Sequence, residues 1–284
     1  MKYKKIDPKT NDMVTVYHLM ISAIAPRPIA LVGSKDKNNV DNLAPFSFFN
    51  GFGANPPIVG FSPALSGKTG MPKDTLLNIK ETKEFTVSIV TTEIVNQVSL
   101  SSCEFDRNID EFIKAGFTKQ KSERVSPNGV KESPFIMECK LHSIIELGNK
   151  PGSGNLILGE VILFKVSNDI ISNANRIDPE KIDQVGRAGG PWYTEIKKSL
   201  FKINKPDRIG VGFDNIPNFL LESNMPAKYL AKLAGVSKIP ALNKSQLLNI
   251  NDINIFIDDL IKIIDNNDII AAWELILLWD YKNE

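Results

Sequence analysis

The feature that most constrains this chain is a change of rhythm at Lys205-Pro206. Before it, short runs of β-branched and aromatic residues recur, each broken by Pro or Gly. They are Ile29 to Val32, Ile58 to Phe61, Phe85 to Val90, Phe135 to Leu147 and Asn155 to Val166. Runs of this length and composition predict strands. In MECKLHSIIEL polar and apolar residues roughly alternate, which predicts one wet face; LILGEVILFKV is more apolar and predicts burial on both faces. Gly159 inside that run predicts a bulge or a close backbone approach. Helical pieces are expected between the strands at Leu76 to Glu84, Glu93 to Ser102 and Ile109 to Ala115. Many short strands with few helices predict a barrel or sandwich with helical insertions.

After Pro206 the period becomes helical. Ile253, Phe256, Ile257, Leu260 and Ile264 recur at spacings of three and four, so they share one helix face. A second helix follows, with Ile269, Ile270, Trp273, Ile276 and Leu277 on its apolar face and Asp268 as N-cap. The stretch Asn249 to Tyr281 therefore predicts an αα-hairpin turning at Asn266-Asn267. Its Trp273/Trp279 face is expected to be core, and the hairpin to be a packing appendage or a dimerisation arm. The two parts give an expected division into 1–205 and 206–284. There are no internal repeats.

Composition removes several classes of function. The chain has 284 residues with 34 Lys+Arg against 33 Asp+Glu, so its charge balance gives no reason to expect nucleic acid or an anionic membrane as partner. Two cysteines, Cys103 and Cys139, stand far apart with no CxxC, which predicts free thiols in a reducing compartment. The only histidines, His18 and His142, argue against a zinc enzyme and against Ser-His-Asp chemistry, although two His with carboxylates would still suffice for a metal. No metal is expected. His142 and Cys139 fall in one predicted strand and are expected to be structural. The charged MKYKKIDPKTND start lacks a signal-type apolar region, and no run approaches membrane-spanning length, so a cytoplasmic location is expected. Gly148 to Gly154, GNKPGSG, lacks GxGxxG spacing and is expected to be a hairpin loop.

The segment Lys73-Asp74-Thr75 carries chemistry of its own. A helix begins near Leu76, with Asp74 or Thr75 placed to cap it. The first turn of a helix offers unpaired N–H groups and partial positive charge. A preceding Lys and a Thr hydroxyl would complete an anion cradle, with Asp74 turned away from it. Ala44-Pro45-Phe46-Ser47-Phe48 offers apolar walls, with N–H groups on Phe46 and Ser47 and a hydroxyl on Ser47. Arg27 lies between two prolines, aimed at an anion, at a ring, or paired at the surface. Arg187 sits in a Gly-rich turn, Ser62 follows a strand, and Asn78 lies one helical turn after Asp74.

Taken in order, APRPIALVG (25–33), NLAPFSFFN (42–50) with NPPIVGFS (55–62), and KDTLLNI (73–79) with EFTVSIV (84–90) resemble the flavin reductase-like family. Gly159-Glu160-Val161 and VGRAGGPWY (185–193) resemble its later strand and closing segment. The resemblance spans roughly residues 10 to 200. It implies an α+β, mainly β fold: an FMN-binding split β-barrel with helical insertions, here with a helical C-terminal extension. It implies FMN as cofactor, its phosphate at Lys73 to Thr75 with a further hydrogen bond from Ser62, its ribityl chain within reach of Asn78, and flavin contacts along Ala44 to Phe48 and near Arg187. It also implies a homodimer with flavin near the subunit interface, and NADH or NADPH as hydride donor. A flavoredoxin-type electron carrier with a protein partner, or a non-enzymatic FMN binder, are the alternatives. Catalytic side chains are not expected, because the flavin carries the chemistry.

Overall fold

The computed structural model describes residues 1–203, 206, 209–242 and 249–283. The contacts divide the chain into two compact units, Met1–Leu200 and Phe201–Glu284. The boundary expected at Lys205 lies outside the described residues.

The first unit is organised by one antiparallel sheet. Its strands are β1 (Ala30–Lys35), β2 (Asp41–Phe46), β3 (Phe49–Ala54), β4 (Pro57–Phe61), β5 (Glu84–Ile89), β8 (Phe135–Glu146) and β9 (Asn155–Val166). Short pairs β6 (Lys119–Gln120) with β7 (Gly129–Val130), and β10 (Val185–Arg187) with β11 (Tyr193–Glu195), lie outside it. The strand order is β2-β1-β5-β8-β9-β4-β3. Strands β2 and β3 thus stand at the two edges of the sheet, yet only Ser47 and Phe48 separate them in sequence. Two residues cannot span a flat seven-stranded sheet, since strands stand roughly 4.8 Å apart. The sheet must curl until its ends meet, which makes an almost closed barrel split between β2 and β3. The Ser62 amide donates to the Phe48 carbonyl at 2.9 Å and continues the β3–β4 ladder up to the seam.

Alternation along β1 explains the layers. Ala30 and Val32 face the barrel interior with Phe61, Phe85, Val87 and Ile157. Ile29 and Leu31 face the other way and pack with Leu43, Val98 and Phe112. Four helices belong to this unit: α1 (Met13–Ala23), α2 (Asp74–Thr82), α3 (Val95–Leu100) and α4 (Glu111–Lys114). Val98 of α3 and Phe112 of α4 supply the outer layer.

Two expectations need correction here. Strand β9 is not buried on both faces: Glu160, Ile162 and Phe164 are exposed, while Ile157, Gly159 and Val161 are buried. It is flanked by β8 and β4 within the sheet, but only its inner face is covered by the core. Helix α2 begins at Asp74, with Lys73 at the N-cap and no side chain capping it. Neither Asp74 nor Thr75 caps, because each side chain is engaged elsewhere, as described below.

Gly159 behaves as its position in the run suggested. A Cβ there would collide with the Phe85 ring, and the β8–β9 register shifts between Leu141 and Ser143, beside Gly159. The GNKPGSG segment joins β8 to β9 as a hairpin loop. His142 is exposed on β8, and Cys139 of the same strand is buried.

The second unit is helical: α5 (Asn218–Leu221), α6 (Ala227–Ala234), α7 (Ile253–Asp265) and α8 (Ile269–Asn283). Asp252 caps α7, and the Asp268 carboxylate accepts from the Ala271 amide at the start of α8. The unit has its own core, in which Phe256, Leu260 and Ile264 of α7 meet Trp273, Ile276 and Trp279 of α8 and Leu233 of α6. The Trp273 indole donates to the Leu233 carbonyl at 3.0 Å, so its one polar atom is satisfied in that core. Among the described residues, no helix is long and apolar enough to cross a membrane.

Candidate functional site

The sequence-selected residues of the first unit converge on the split edge of the barrel. Strand β2 is terminal in the sheet, so alternate backbone N–H groups on its outer edge have no ladder partner there. Ala44, Pro45, Phe46, Ser47 and Phe48 are all half-buried, and Phe46 packs on Phe61 with ring centroids 5.1 Å apart. The result is an apolar ledge along the sheet edge, where the outward Leu43 amide is taken by Glu111 and Pro45 carries no N–H.

Helix α2 abuts this strand through buried polar contacts. Thr75, 1% exposed, donates its hydroxyl to Asn42 Oδ1 at 3.3 Å. Asn78, 2% exposed, donates to Ser34 Oγ at 3.2 Å, and Ser34 donates to the same Asn42 oxygen at 3.4 Å. Asn42 in turn donates to Glu111 Oε2 at 3.3 Å, and the Leu43 amide donates to that oxygen at 2.9 Å. This network fixes α2 against the β2 strand that carries Ala44 to Phe46. It corrects two expectations. The Thr75 hydroxyl is not at the lip of a cradle, and the Asn78 amide is not free to reach a ribityl chain: both are committed inward.

The start of α2 nevertheless suits an anion. No side chain caps it, so the Asp74 and Thr75 amides are the available donors, whereas Leu76 and Leu77 donate to the Lys73 carbonyl. Lys73 is partly exposed and pairs with Glu104 at 3.5 Å. Asp74 does point aside, toward Arg107 at 3.6 Å. Arg107 also donates to Asn78 Oδ1 at 3.4 Å and faces Glu81 at 3.9 Å. A phosphate monoester fits this donor set: one ammonium and uncapped helix amides.

Arg27 lies over the Phe48 ring, 5.8 Å from its centroid, and is held mainly by backbone carbonyls. It is 5% exposed, and its guanidinium donates to the Ile21 and Ile24 carbonyls at the end of α1, to the Ala188 carbonyl at 3.4 Å and to Ser47 Oγ at 3.4 Å. A cation at a helix C-terminus is favoured by the exposed carbonyls. Burial lowers the Arg27 pKa below its ordinary value, and the nearby positive charge of Arg187 acts in the same direction. Arg27 therefore works as a clamp joining α1, the Ser47 turn and the segment after β10. Its backbone exchanges two hydrogen bonds of 2.8 Å with Arg187. The Arg187 guanidinium lies over the Tyr193 ring, 4.3 Å from its centroid.

A continuous path of contacts thus joins Lys73 and Thr75, through Asn42, to Ala44–Ser47, and onward through Arg27 to Arg187. Ser62 joins it through the Phe48 carbonyl. Sequence reasoning missed Asn42, Arg107 and Glu111. The signal for Asn42 was available, since it opens the NLAPFSFFN segment; Arg107 and Glu111 carried none.

A curled antiparallel sheet with an apolar ledge and anion donors at its split edge defines a flavin-binding split barrel. The chain belongs to the flavin reductase-like family: the model of the flavin reductase like domain matches residues 22–176. A protein of Halalkalibacterium halodurans without a described function is 35% identical over 204 residues, 71% of this chain and 96% of its own length. Nitrilotriacetate monooxygenase component B from Bacillus cereus is structurally similar at 32% identity and a TM-score of 0.66, covering 72% of this chain and 98% of that one. The 2-nitrobenzoate 2-nitroreductase of Pseudomonas fluorescens follows at 27% identity and a TM-score of 0.65, covering 72% and 98%. The family match ends before the second unit begins.

Proposed function

We propose that the protein is an FMN-dependent oxidoreductase that accepts hydride from NADH or NADPH, working in the cytoplasm as a homodimer. The observation that carries this is the path of contacts from an uncapped, lysine-flanked helix start to an apolar sheet edge that ends in the Ser47 turn. That path matches what an isoalloxazine ring with a phosphate tail requires. Lys73 and the Asp74 and Thr75 amides hold the phosphate. Ala44, Pro45, Phe46 and Phe48 wall the ring, while the Ser47 amide and hydroxyl face its polar edge. Arg27 keeps Ser47 in place, Ser62 adds a hydroxyl beside Phe48, and Arg187 stands at the far end. Asn78 and the Thr75 hydroxyl serve the site by fixing α2.

A single monophosphate anchor favours FMN over FAD, whose pyrophosphate and adenosine need a second cradle. The bound flavin supplies the hydride-accepting atom; the side chains orient it and exclude water. The dimer is supported by helix α1, where Met13, Val14, Tyr17, Leu19 and Met20 are exposed. So large an apolar surface on one short helix suits a second copy.

Anaerobic stopped-flow mixing of the flavin-loaded protein with NADH and with NADPH tests the function. Rapid bleaching of the flavin by one nicotinamide is the expected result. Bleaching by neither would replace the reductase reading with an electron-transfer protein reduced by a protein partner, or a non-enzymatic flavin binder. Denaturing the protein and separating the released flavin by chromatography tests FMN against FAD.

A further inference from the structure

The start of α2 poses an electrostatic difficulty. Asp74 is the first residue of the helix, where its charge stands beside the very amides proposed to hold a phosphate. A carboxylate left free there would repel the ligand, or fold back onto the helix N–H groups and occupy them. The structure answers this with Arg107, from the segment between α3 and α4. Its Nη1 lies 3.6 Å from Asp74 Oδ1. Its Nη2 donates to Asn78 Oδ1 at 3.4 Å and lies 3.9 Å from Glu81 Oε2. Asp74, Asn78 and Glu81 are spaced four and three apart, so they share one face of α2. Arg107 lies along that face and draws the Asp74 carboxylate sideways, away from the helix mouth. Because Asn78 is buried and bonded to Ser34, the guanidinium has a fixed acceptor as well as mobile ones.

We infer that Arg107 is a positioning residue for the phosphate site: it restrains and neutralises Asp74, so that Lys73 and the first amides of α2 remain open to a phosphate monoester. The inference rests on the phosphate location proposed above. It assigns a role to a residue that does not itself contact the ligand and that no motif in the sequence marks.

The consequence is conditional. Removing Arg107 should harm phosphate binding only while Asp74 keeps its charge. Titrations with FMN and with riboflavin, which lacks the phosphate, measure this in the full-length protein. Arg107→Gln should weaken FMN about two- to fivefold, the range expected for an exposed ion pair, and leave riboflavin unchanged. Asp74→Asn should bind FMN at least as tightly as the parent. In the Asp74→Asn background, Arg107→Gln should have no further effect on FMN. Equal weakening by Arg107→Gln in both backgrounds would overturn the inference, because Arg107 would then act on the phosphate without Asp74. No weakening in either background would overturn it too. Parallel loss of FMN and riboflavin affinity would show that Arg107 acts through folding, and also reject it. Lys73→Ala separates the inference from the reading beneath it. If Lys73→Ala weakens FMN roughly ten- to a hundredfold, as loss of a charged hydrogen bond does, while sparing riboflavin, the phosphate site stands whatever Arg107 does. If Lys73→Ala spares FMN, the phosphate lies elsewhere and both fall.

Discussion

At Glu111 a single carboxylate oxygen takes two hydrogen bonds, from the Leu43 amide and the Asn42 side chain, while burial works against its charge. Burial is the larger influence, and the Glu111 pKa lies above its ordinary value. The folded state therefore holds this proton more tightly than the unfolded chain does. The resulting stability is full below the ordinary carboxylate range and is lost as pH rises through the folded value. Glu111→Gln keeps an oxygen able to accept the same two bonds but carries no charge. Its melting temperature should match the parent in acid, near about pH 4, and exceed it at neutral pH. Thermal melts of both proteins across that range check the sign. A mutant less stable at neutral pH would show that the ionised carboxylate's bonds outweigh the cost of burying it.

Among the elements, β9 comes tightly against β5 where Gly159 passes the Phe85 ring. Gly159→Ala forces that ring or the strand to shift and should cost about 1–3 kcal/mol, the range for overpacking. Denaturant unfolding of Gly159→Ala, and of the same change combined with Phe85→Leu, measures it; the second substitution should recover part of the loss by making room. Strands of this kind were legible in the sequence because β-branched runs between Pro and Gly leave little else to form. Helix α1 was not. MVTVYHLMISA has apolar residues on every side and shows no helical period. Its only local signal is Asp12, whose carboxylate accepts from the Thr15 amide. Helices α5 and α6 were also missed; each begins directly after a proline, Pro217 or Pro226, and α5 is only four residues long. Of the site, the residues in motifs were legible, but their directions were not. Thr75 turns inward because Asn42, thirty-three positions away, accepts its proton, and no local pattern encodes a partner at that distance.

For the whole molecule, the two units have separate cores. A relative that matches 96% of its own length to 71% of this chain lacks room for the second unit. The excised fragment 1–200 should therefore fold and keep its flavin affinity, and the fragment 201–284 should be helical by itself. Circular dichroism of both and a flavin titration of the first check this. A fragment 1–200 that fails to fold would make the helical unit an obligate part of the barrel's stability.

The two thiols differ in a way that is useful at the bench. Burial raises the Cys139 pKa far above its ordinary value, so this thiol resists ionisation and is closed to reagents. Cys103 is exposed and directly precedes Glu104, the residue paired with Lys73. A maleimide dye should attach once per native chain, at Cys103, and a second time only after denaturation; intact mass before and after unfolding counts the adducts. The wild-type sequence then carries a handle for an environment-sensitive fluorophore one residue from the ion pair that a phosphate bound at the proposed site would compete with, so ligand entry there would become visible without engineering a new cysteine.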